Sequence, residues 1–329
     1  MYRPSVSVIV PVFNGEMTIG KTLDAILNQS YAGRVEIIVV DDGSKDNTNQ
    51  IVTNYSSVRY FVQQNAGPAA ARNKGAKEAK GDILFFTDSD CVPEREWIEK
   101  MVVHLEDPSV WVVSGSYDIA NPSSLLASCI QNEIRYRHER LMPKFPKSFG
   151  SYNFCVIKKV FEEAGGFNSA YPAASGEDND LSYKIIKSGQ RILFEKYALV
   201  KHYHQSRLGN YLKEQFRHGY WRVKMYRDHP KMMRGDDYTF WKDILEVPAV
   251  AFTILGVFAL PLMISSSDFM LWLVKFWLSS FLVFEILFAC WIMPRIPEAI
   301  FFGLVMFLRA FARTFGFLSA LLRFPAEKT

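Results

Sequence analysis

A short acidic cluster, Asp88-Ser89-Asp90, carries side chains suited to chemistry in this 329-residue chain. It follows the apolar run 83–86, whose composition is typical of a buried strand. Two carboxylates one residue apart at a strand end suit a hard divalent cation such as Mg²⁺ or Mn²⁺, which would in turn hold a diphosphate. The same pattern is also a common turn and helix cap, so the pair alone leaves both interpretations open.

The elements around this cluster alternate between strand and helix patterns. Apolar, β-branched runs predict strands, and segments with helical spacing of apolar residues predict helices between them. The predicted strands are 5–12, 35–40, 58–62 and 83–86, and the predicted helices are 18–29, 46–55 and 67–80. This alternation predicts an α/β fold with a mostly parallel sheet and helices on both faces.

Polar side chains collect where these strands end, and ligands of such sheets bind beyond the carboxyl ends of the strands. They are Asn14, Glu16, Asp41, Asp42, Asn65, Arg72, Asp88 and Asp90. Further along the chain, the patterns predict strands at 110–117 and 191–200, helices at 123–140, 161–165 and 180–187, and a loop at 143–152. The four cysteines are scattered, which argues against a disulfide framework or a zinc site.

The charge is unevenly distributed, because nearly all of it lies before residue 247. We therefore predict a boundary there, with a soluble domain at 1–246 and a membrane domain at 247–329. The runs 247–265 and 269–293 are long enough to cross a bilayer. The run 299–322 contains Arg309 and Arg313 on one helix face, which favours an amphipathic helix in the interface over a third span.

The predicted link between the first two apolar runs, 265–268, is short and lacks Lys and Arg. Cytoplasmic loops carry an excess of these residues, so the link should face away from the cytoplasm. The sequence thus predicts a multi-pass protein of the cell (inner) membrane, with its soluble domain in the cytoplasm and membrane lipids as partners. The formal net charge of +4 is too small to indicate nucleic acid as a partner.

Five segments, taken together, resemble the ordered motifs of glycosyltransferase family 2 over about residues 5–205. They are SVIVPVFNGE, EIIVVDDGSKDNT, NAGPAAARNKGA, GDILFFTDSDC and SGEDNDLSYKIIKSG. The resemblance implies a GT-A fold, a nucleotide-diphospho-sugar donor and inversion at the anomeric carbon. It also implies a nucleotide-sugar half at about 1–117 and an acceptor half at about 118–246.

The resemblance assigns donor-side roles position by position. Pro11, Asn14 and Glu16 would line the nucleotide pocket, and Asp42 would bind the base. Gly67 would allow close approach of the backbone, and Arg72 would contact base or phosphate. Asp88 would contact ribose or metal, and Asp90 would bind the metal. A pyrimidine suits the Asp42 carboxylate, which favours a UDP-sugar over a GDP-sugar. Two alternatives stay open: a capping role for the 41–44 segment, and a solvated surface position for Arg72.

The acceptor side of the resemblance centres on Glu177-Asp178-Asn179-Asp180. Inversion requires a base that takes the proton of an acceptor hydroxyl, and Asp178 is the predicted base, with Glu177 orienting it or the acceptor. Asp180 is predicted to cap the helix that starts there. His202 falls where similar GT-A enzymes place a metal-binding histidine, although a structural role is the alternative.

Two further segments resemble the family less closely. The segment 215–222 departs from the QxxRW element of processive members, with His218 where Arg is expected and Gly219 where Trp is expected, which argues against long-chain synthesis. An amphipathic helix packed beneath the membrane is the alternative for this segment. Asn153 lies before the acceptor-side helix of the family, where it would shape the acceptor pocket or form a core turn.

The sequence therefore predicts an inverting glycosyltransferase that depends on Mn²⁺ or Mg²⁺. Its acceptor would be lipid-linked or close to the membrane, as in cell-envelope polysaccharide or glycoconjugate synthesis. The alternative is a non-catalytic subunit that binds nucleotide sugars within an envelope polysaccharide assembly.

Overall fold

The structure, a computed structural model, describes residues 3–171, 176–235, 237–259 and 267–323. Its contacts divide the chain into two compact units. The first unit comprises Met1–Pro122 and Arg137–His204, and the second comprises Ser123–Tyr136 and Gln205–Thr329. The predicted boundary at residue 247 lies inside the second unit, and the predicted division of the chain into domains stays a prediction.

The first unit is built on one eight-stranded sheet with the strand order β3-β2-β1-β4-β7-β6-β8-β5. The strands are β1 (Val6–Val12), β2 (Val35–Asp41), β3 (Val58–Val62), β4 (Ile83–Thr87), β5 (Cys91–Pro93), β6 (Val110–Ile119), β7 (Asn153–Ile157) and β8 (Arg191–His202). The helices of this half of the chain are α1 (Ile19–Leu27), α2 (Thr48–Thr53), α3 (Pro68–Glu78), α4 (Trp97–Val102), α5 (Leu125–Arg140), α6 (Lys158–Glu163) and α7 (Glu177–Lys187).

The N-terminal half of the sheet confirms the predicted alternation. β1 pairs in parallel with β2 and β4, and β2 pairs in parallel with β3. Every residue of β1 and β4 is buried, because helices and their apolar side chains cover both faces. Burial on both faces explains why these strands have continuous apolar runs and no alternation.

The C-terminal half of the sheet is mixed, which the sequence did not predict. β7 lies between β4 and β6 and is antiparallel to both, whereas β6 and β8 pair in parallel. The short strand β5 pairs antiparallel with β8, so that Cys91 lies opposite His202. This last pairing connects the residues after β4 to the end of β8.

Asn153, at the start of β7, holds three elements of this mixed sheet together. Its side chain is fully buried, and its amide nitrogen donates to the backbone oxygens of Ser116 (2.9 Å) and Ala198 (2.8 Å). Its Oδ1 accepts a hydrogen bond from Nε1 of Trp97 (2.7 Å). A buried amide whose hydrogen bonds are satisfied in this way rigidifies the core, which agrees with the core alternative for this residue.

Over the described residues, the second unit contains most of α5, which carries Glu133, and the long helices α8 (Leu208–Asp228), α9 (Trp241–Ala259), α10 (Ser267–Ile292) and α11 (Ile296–Arg323). By length and composition, α10 over Leu271–Ile292 and the whole of α11 are apolar enough to cross a membrane. The predicted first apolar run starts inside α9, and the rest of that run and half of the predicted link fall at 260–266, outside the described residues.

One network of buried charges lies among the helices of the second unit, because Glu246 of α9 pairs with both Lys242 and Arg309. Glu285 is fully buried on α10 and pairs with Lys242 of α9 at 2.9 Å. Arg309 of α11 is also buried and pairs with Glu133 at 2.7 Å. Pairing offsets much of the cost of placing these charges away from water.

Candidate active site

The two aspartates of the DxD sequence occupy the turn between β4 and β5. β4 ends at Thr87 and β5 begins at Cys91, so Asp88 and Asp90 lie at the carboxyl edge of the parallel strands. The antiparallel pairing of β5 with β8 brings His202 beside Asp90, with 3.4 Å between its Nε2 atom and the Asp90 Oδ2 atom. The structure thus brings together two of the three residues predicted to bind metal, although they are 112 positions apart in the chain.

Asp90 and His202 form a donor set that suits Mn²⁺ or Mg²⁺. A carboxylate oxygen and an imidazole nitrogen 3.4 Å apart can both bond one ion, since such bonds are about 2.0–2.2 Å long. Cys91 is the third member of this cluster, in which the potential ligand atoms lie within 4.8 Å of one another. Burial and the charge of Asp90 raise the pKa of the Cys91 thiol well above its ordinary value, which disfavours the thiolate form that binds metals.

Electrostatics keep the oxygen ligand charged. Burial raises the pKa of the Asp90 carboxyl, but the attraction of His202 and a hydrogen bond to it outweigh this effect, and the pKa lies below its ordinary value. His204 lies behind the pair, with 2.9 Å between its Nδ1 atom and that of His202. Burial and then the neighbouring His202 lower the pKa of His204 to about 3, so it remains neutral and can orient the ligand ring.

Arg72 joins the DxD turn to the second acidic motif. Its side chain is 1% exposed, and its guanidinium donates to Asp88 Oδ1 at 2.6 Å and to Glu177 Oε1 at 3.0 Å. The alternative of a solvated surface arginine is therefore wrong. Burial lowers the pKa of Arg72, but the two carboxylates more than compensate and hold it above its ordinary value.

We expect substitution of Arg72 by Met to destabilise the fold by about 3–5 kcal/mol, because it leaves the buried Glu177 carboxylate without its cation. Arg59 provides a matched control, since its side chain is 31% exposed while it pairs with Glu36 and Glu78. Arg59→Met should cost at most about 1 kcal/mol. Chemical denaturation of both variants measures the difference.

The double variant Arg72→Met/Glu177→Gln should recover part of the lost stability, because it also removes the buried Glu177 charge that has lost its arginine. Equal denaturation midpoints for Arg72→Met and Arg59→Met would contradict the bridging role of Arg72.

The second acidic motif forms the first turn of α7. The helix begins at Glu177, after Gly176 with φ 118°, so the predicted start at Asp180 is three residues too late. Asp180 is not the cap but a buried residue within the first turn, paired with Lys184 at 2.6 Å. A run of polar residues hid the helix start, because apolar periodicity begins only at Leu181.

Asp178 has the electrostatic properties of a general base. Burial, and then repulsion from Glu177, raise the pKa of the Asp178 carboxyl to about 7. A carboxylate with a pKa near the working pH accepts a proton readily, and about half of it is deprotonated before reaction. Glu177 itself is buried and bound to Arg72, as expected of an orienting residue.

On the donor side, Asp42 organises the loop that contains Gly67. Its Oδ1 accepts hydrogen bonds from the Gln63 side chain (2.7 Å) and from the Ala66 backbone N–H (2.8 Å), and its Oδ2 accepts one from the Gly67 N–H (2.8 Å). Gly67 has φ 90°, which glycine adopts without strain. A carboxylate offers about four acceptor positions, so Asp42 retains capacity for one further donor.

One alternative was that the 41–44 segment caps the next helix, and the structure shows that it does not. Asp41 accepts a hydrogen bond from the backbone N–H of Ser44 (2.7 Å) and another from the hydroxyl of Tyr60 (2.5 Å). The helix α2 begins later, at Thr48. Asp41 therefore closes a turn at the end of β2.

Asn14 and Glu16 tie the loop after β1 to the loop after β2. Asn14 has φ 52°, and its Oδ1 accepts a hydrogen bond from the Lys45 backbone N–H at 2.8 Å. Glu16 accepts one from the backbone N–H of Asn47 at 3.0 Å. Pro11 is buried within β1. The structure thus places the three residues predicted to line the nucleotide pocket on or just after the same strand.

Comparison with known proteins indicates the class of protein to which this site and fold correspond. Residues 7–165 match the model of glycosyl transferase family 2. This match covers just under half of the chain and supports a family 2 glycosyltransferase, whose α/β sheet is that of the GT-A fold.

Individual relatives agree with this assignment. Glycosyltransferase AglE of Haloferax volcanii is 29% identical over 68% of this chain and 74% of its own length. The pre-mycofactocin glycosyltransferase of Mycobacterium tuberculosis is 28% identical over 63% of this chain and 44% of its own length. Apart from the Haloferax protein, the curated relatives compared are covered by this chain over 36–64% of their length.

One solved structure resembles nearly the whole chain. The mannosyltransferase PcManGT of Pyrobaculum calidifontis, solved with GDP-Man and Mn²⁺, has a TM-score of 0.57 and 21% sequence identity. The similarity covers 98% of this chain and 87% of that one. At this identity, the likeness shows a shared fold.

Proposed function

We propose that this chain is an inverting glycosyltransferase that transfers a sugar from a nucleotide-diphospho-sugar, with Asp178 as the general base. The observation that carries the proposal is the link through Arg72. This single buried cation contacts Asp88 of the DxD turn and Glu177 of the acidic motif. It thereby connects the side chains suited to holding a diphosphate with the carboxylate suited to removing a proton.

The chain's own residues divide the work of this reaction. Asp90 and His202 would hold the divalent metal, which supplies positive charge for the leaving diphosphate. Asp88 would contact the ribose or the metal, and Arg72 fixes its orientation. Asp178, with its pKa of about 7, would accept the proton of the acceptor hydroxyl on the face opposite the leaving group.

The nucleotide would bind along the carboxyl ends of β1, β2 and β4. Pro11, Asn14 and Glu16 would form one wall, and the Gly67 loop would allow close approach of the backbone. Asp42 can accept one further hydrogen bond, as from the ring N–H of uracil, which supports a UDP-sugar. The solved mannosyltransferase of the same fold was bound to GDP-Man, so a guanosine donor is the direct competitor in the test.

The acceptor is proposed to be lipid-linked or close to the membrane. Two C-terminal helices are long and apolar enough to cross a bilayer, which supports an enzyme that works at a membrane. The proposed location is the cytoplasmic face of the cell (inner) membrane. The proposed role is in the synthesis of envelope polysaccharides or glycoconjugates.

A thermal-shift panel of UDP- and GDP-sugars, with and without Mn²⁺ or Mg²⁺, tests the donor. A ligand that binds only the folded state stabilises it by about 2.7 kcal/mol at 100 times its Kd, so the true donor should raise the melting temperature most. We expect the largest shift from a UDP-sugar, and only with metal present. A larger shift from a GDP-sugar would contradict the proposed uridine preference.

The non-catalytic alternative predicts binding without reaction. Incubation of the preferred donor with membrane lipid extract, followed by mass spectrometry of the lipids, distinguishes the two functions. A new hexosylated lipid that Asp178→Asn fails to form supports the transferase, whereas donor binding with no transfer across such extracts supports the scaffold.

A further inference from the structure

The segment 148–152, which leads into β7, is a loop whose side chains are mostly buried. Ser148, Phe149 and Ser151 are all buried, and the Phe149 ring stacks on that of Phe154 with 4.2 Å between the ring centroids. Loops usually run over the surface, because buried backbone groups need hydrogen-bond partners. The partners of this segment therefore indicate what it does.

One part of the segment is attached to the helix that contains the proposed base. The backbone N–H of Phe149 donates to the hydroxyl of Ser182 at 3.1 Å, and this hydroxyl donates to the backbone oxygen of Asp178 at 2.7 Å. Ser182 is fully buried, so water does not compete for these two hydrogen bonds. The backbone N–H of Ser151 also donates to the Asp178 carboxylate. The segment thus contacts both the backbone and the acidic group of Asp178.

The end of the segment packs against the surroundings of the metal-ligand candidate His202. The Tyr152 ring lies parallel to that of Tyr117, with 3.5 Å between the centroids and 12° between the planes. The centroid of Tyr117 lies in turn 5.0 Å from that of His202 and 5.7 Å from that of His204. A Cβ on Gly150 would meet the Tyr152 ring at 2.0 Å, so this ring lies against the loop backbone. The position of Tyr152 therefore restricts Tyr117 and, through it, His202.

The segment also supplies one of the groups that set the pKa of Asp178. Burial has the largest effect and, together with the charge of Glu177, raises the pKa to about 7. The hydrogen bond from the Asn179 N–H, the charge of Arg72 on α3 and the hydrogen bond from the Ser151 N–H all lower the pKa. Of these, the Ser151 bond depends on where the segment lies.

We propose that the segment 148–152 holds the base Asp178 and the metal ligand His202 in fixed positions relative to each other, with Ser182 and Tyr152 as positioning residues. In the proposed reaction, the base acts on the face opposite the diphosphate that the metal holds, so the geometry between base and metal ligand affects the rate. The inference rests on the proposed function.

Ser182→Ala tests the connection to the base. The segment then loses its anchor on α7, and the hydrogen bond from Ser151 to the Asp178 carboxylate weakens. We expect the acid limb of the pH–rate profile to move to higher pH by about one unit. The ratio of the variant's transfer rate to that of the wild type should then be about tenfold smaller at pH 6 than at pH 9. A general loss of active protein would lower the rate by the same factor at both pH values.

Ser7→Ala is the matched control. Ser7 is also fully buried, and its hydroxyl likewise makes two hydrogen bonds, from the Gly81 N–H at 2.8 Å and to the Glu36 carboxylate at 2.5 Å. It lies near the start of β1, whereas the site lies beyond the strand's end. Ser7→Ala should lower the melting temperature and keep the wild-type acid limb. A wild-type acid limb in Ser182→Ala, or the same shift in both variants, would overturn the inference.

Tyr152→Leu and Tyr152→Phe test the connection to the metal ligand. The readout is the Mn²⁺ concentration that gives half of the thermal shift produced by the nucleotide sugar selected in the donor panel. We expect Tyr152→Leu, which removes the stacked ring, to raise this concentration about tenfold. Tyr152→Phe keeps the ring and should need no more Mn²⁺ than the wild type. An unchanged Mn²⁺ requirement in Tyr152→Leu would overturn the inference.

Asp178→Asn separates this inference from the proposed function. If the residual rate of that variant keeps the wild-type acid limb, the limb belongs to another group, and both the base assignment and the positioning roles are wrong. If Asp178→Asn loses the limb while Ser182→Ala keeps it unshifted, the base assignment stands and the positioning role alone is wrong.

Discussion

Asp178→Asn should lower kcat by about 10²–10⁴-fold, because amide replacement removes the only role that requires a proton acceptor in the proposed reaction. The variant should still bind donor and metal, since neither is assigned to Asp178. Its melting temperature should therefore rise with nucleotide sugar as in the wild type. The measurement is initial transfer rate alongside a donor thermal shift.

The pH dependence of the wild type provides an independent check. The base acts when deprotonated, and its pKa is raised to about 7, so activity should fall as the pH drops through about 7. Asp180→Asn is the matched control, as Asp180 is a carboxylate of the same helical turn that pairs with Lys184. The control should keep the acid limb of the wild-type profile. A wild-type rate independent of pH between 5.5 and 8 would contradict the role of Asp178.

As the pH rises, the stability of the wild type should fall while its activity rises. The folded-state pKa of Asp178 lies above the unfolded value, so the stability tied to its protonation is fully present below the unfolded pKa and is lost as the pH rises through about 7. Asn carries no such charge. Asp178→Asn should therefore melt at a higher temperature than the wild type at pH 8, with a smaller difference at pH 5.5.

Asp90→Asn should remove the dependence on metal, which is the second large expected effect. Substitutions that only orient a metal ligand already cost about 10–100-fold in affinity or activity, so loss of a ligand should cost at least as much. We expect transfer to fall about 100-fold or more, and Mn²⁺ to lose its effect on the thermal shift produced by the nucleotide. Titration of Mn²⁺ with both readouts measures this change.

Two variants sharpen the assignment. His202→Ala should raise the Mn²⁺ concentration for half-maximal effect by about tenfold or more, since His202 is the other ligand in the pair. Cys91→Ser is the control within the same cluster, because the raised pKa of the Cys91 thiol disfavours its thiolate and it should contribute little to metal binding. A Cys91→Ser variant as impaired as Asp90→Asn would show that the thiolate binds the ion and would contradict this assignment.

Local patterns in the sequence were sufficient for the parallel part of the fold. β1 and β4 are buried along their whole length and β2 along most of it, so each has an apolar run that is bounded by turn residues, whereas β3 at the sheet edge is half-buried. The chemical types of the site residues could also be read from the sequence, because Asp88, Asp90 and Asp178 each carry a carboxyl group in any surroundings. Apolar composition alone also indicated helices suited to a membrane near the C-terminus.

The tertiary structure alone decided how these parts meet. β7 inserts between β4 and β6, and the three-residue β5 pairs with β8, through hydrogen bonds between segments distant in the chain. Such pairing leaves no periodicity that could reveal it, yet it is what places His202 beside Asp90.

Burial, which the sequence does not reveal, also determines the ion pairs and pKa values of the charged residues. Arg72 could equally have been a surface residue by its sequence, and only the folded chain encloses it between Asp88 and Glu177. The pKa of Asp178 near 7 likewise arises from burial and from Glu177, not from residue type. Sequence determined which groups this protein has for its chemistry, whereas long-range contacts and desolvation decided which of them act together.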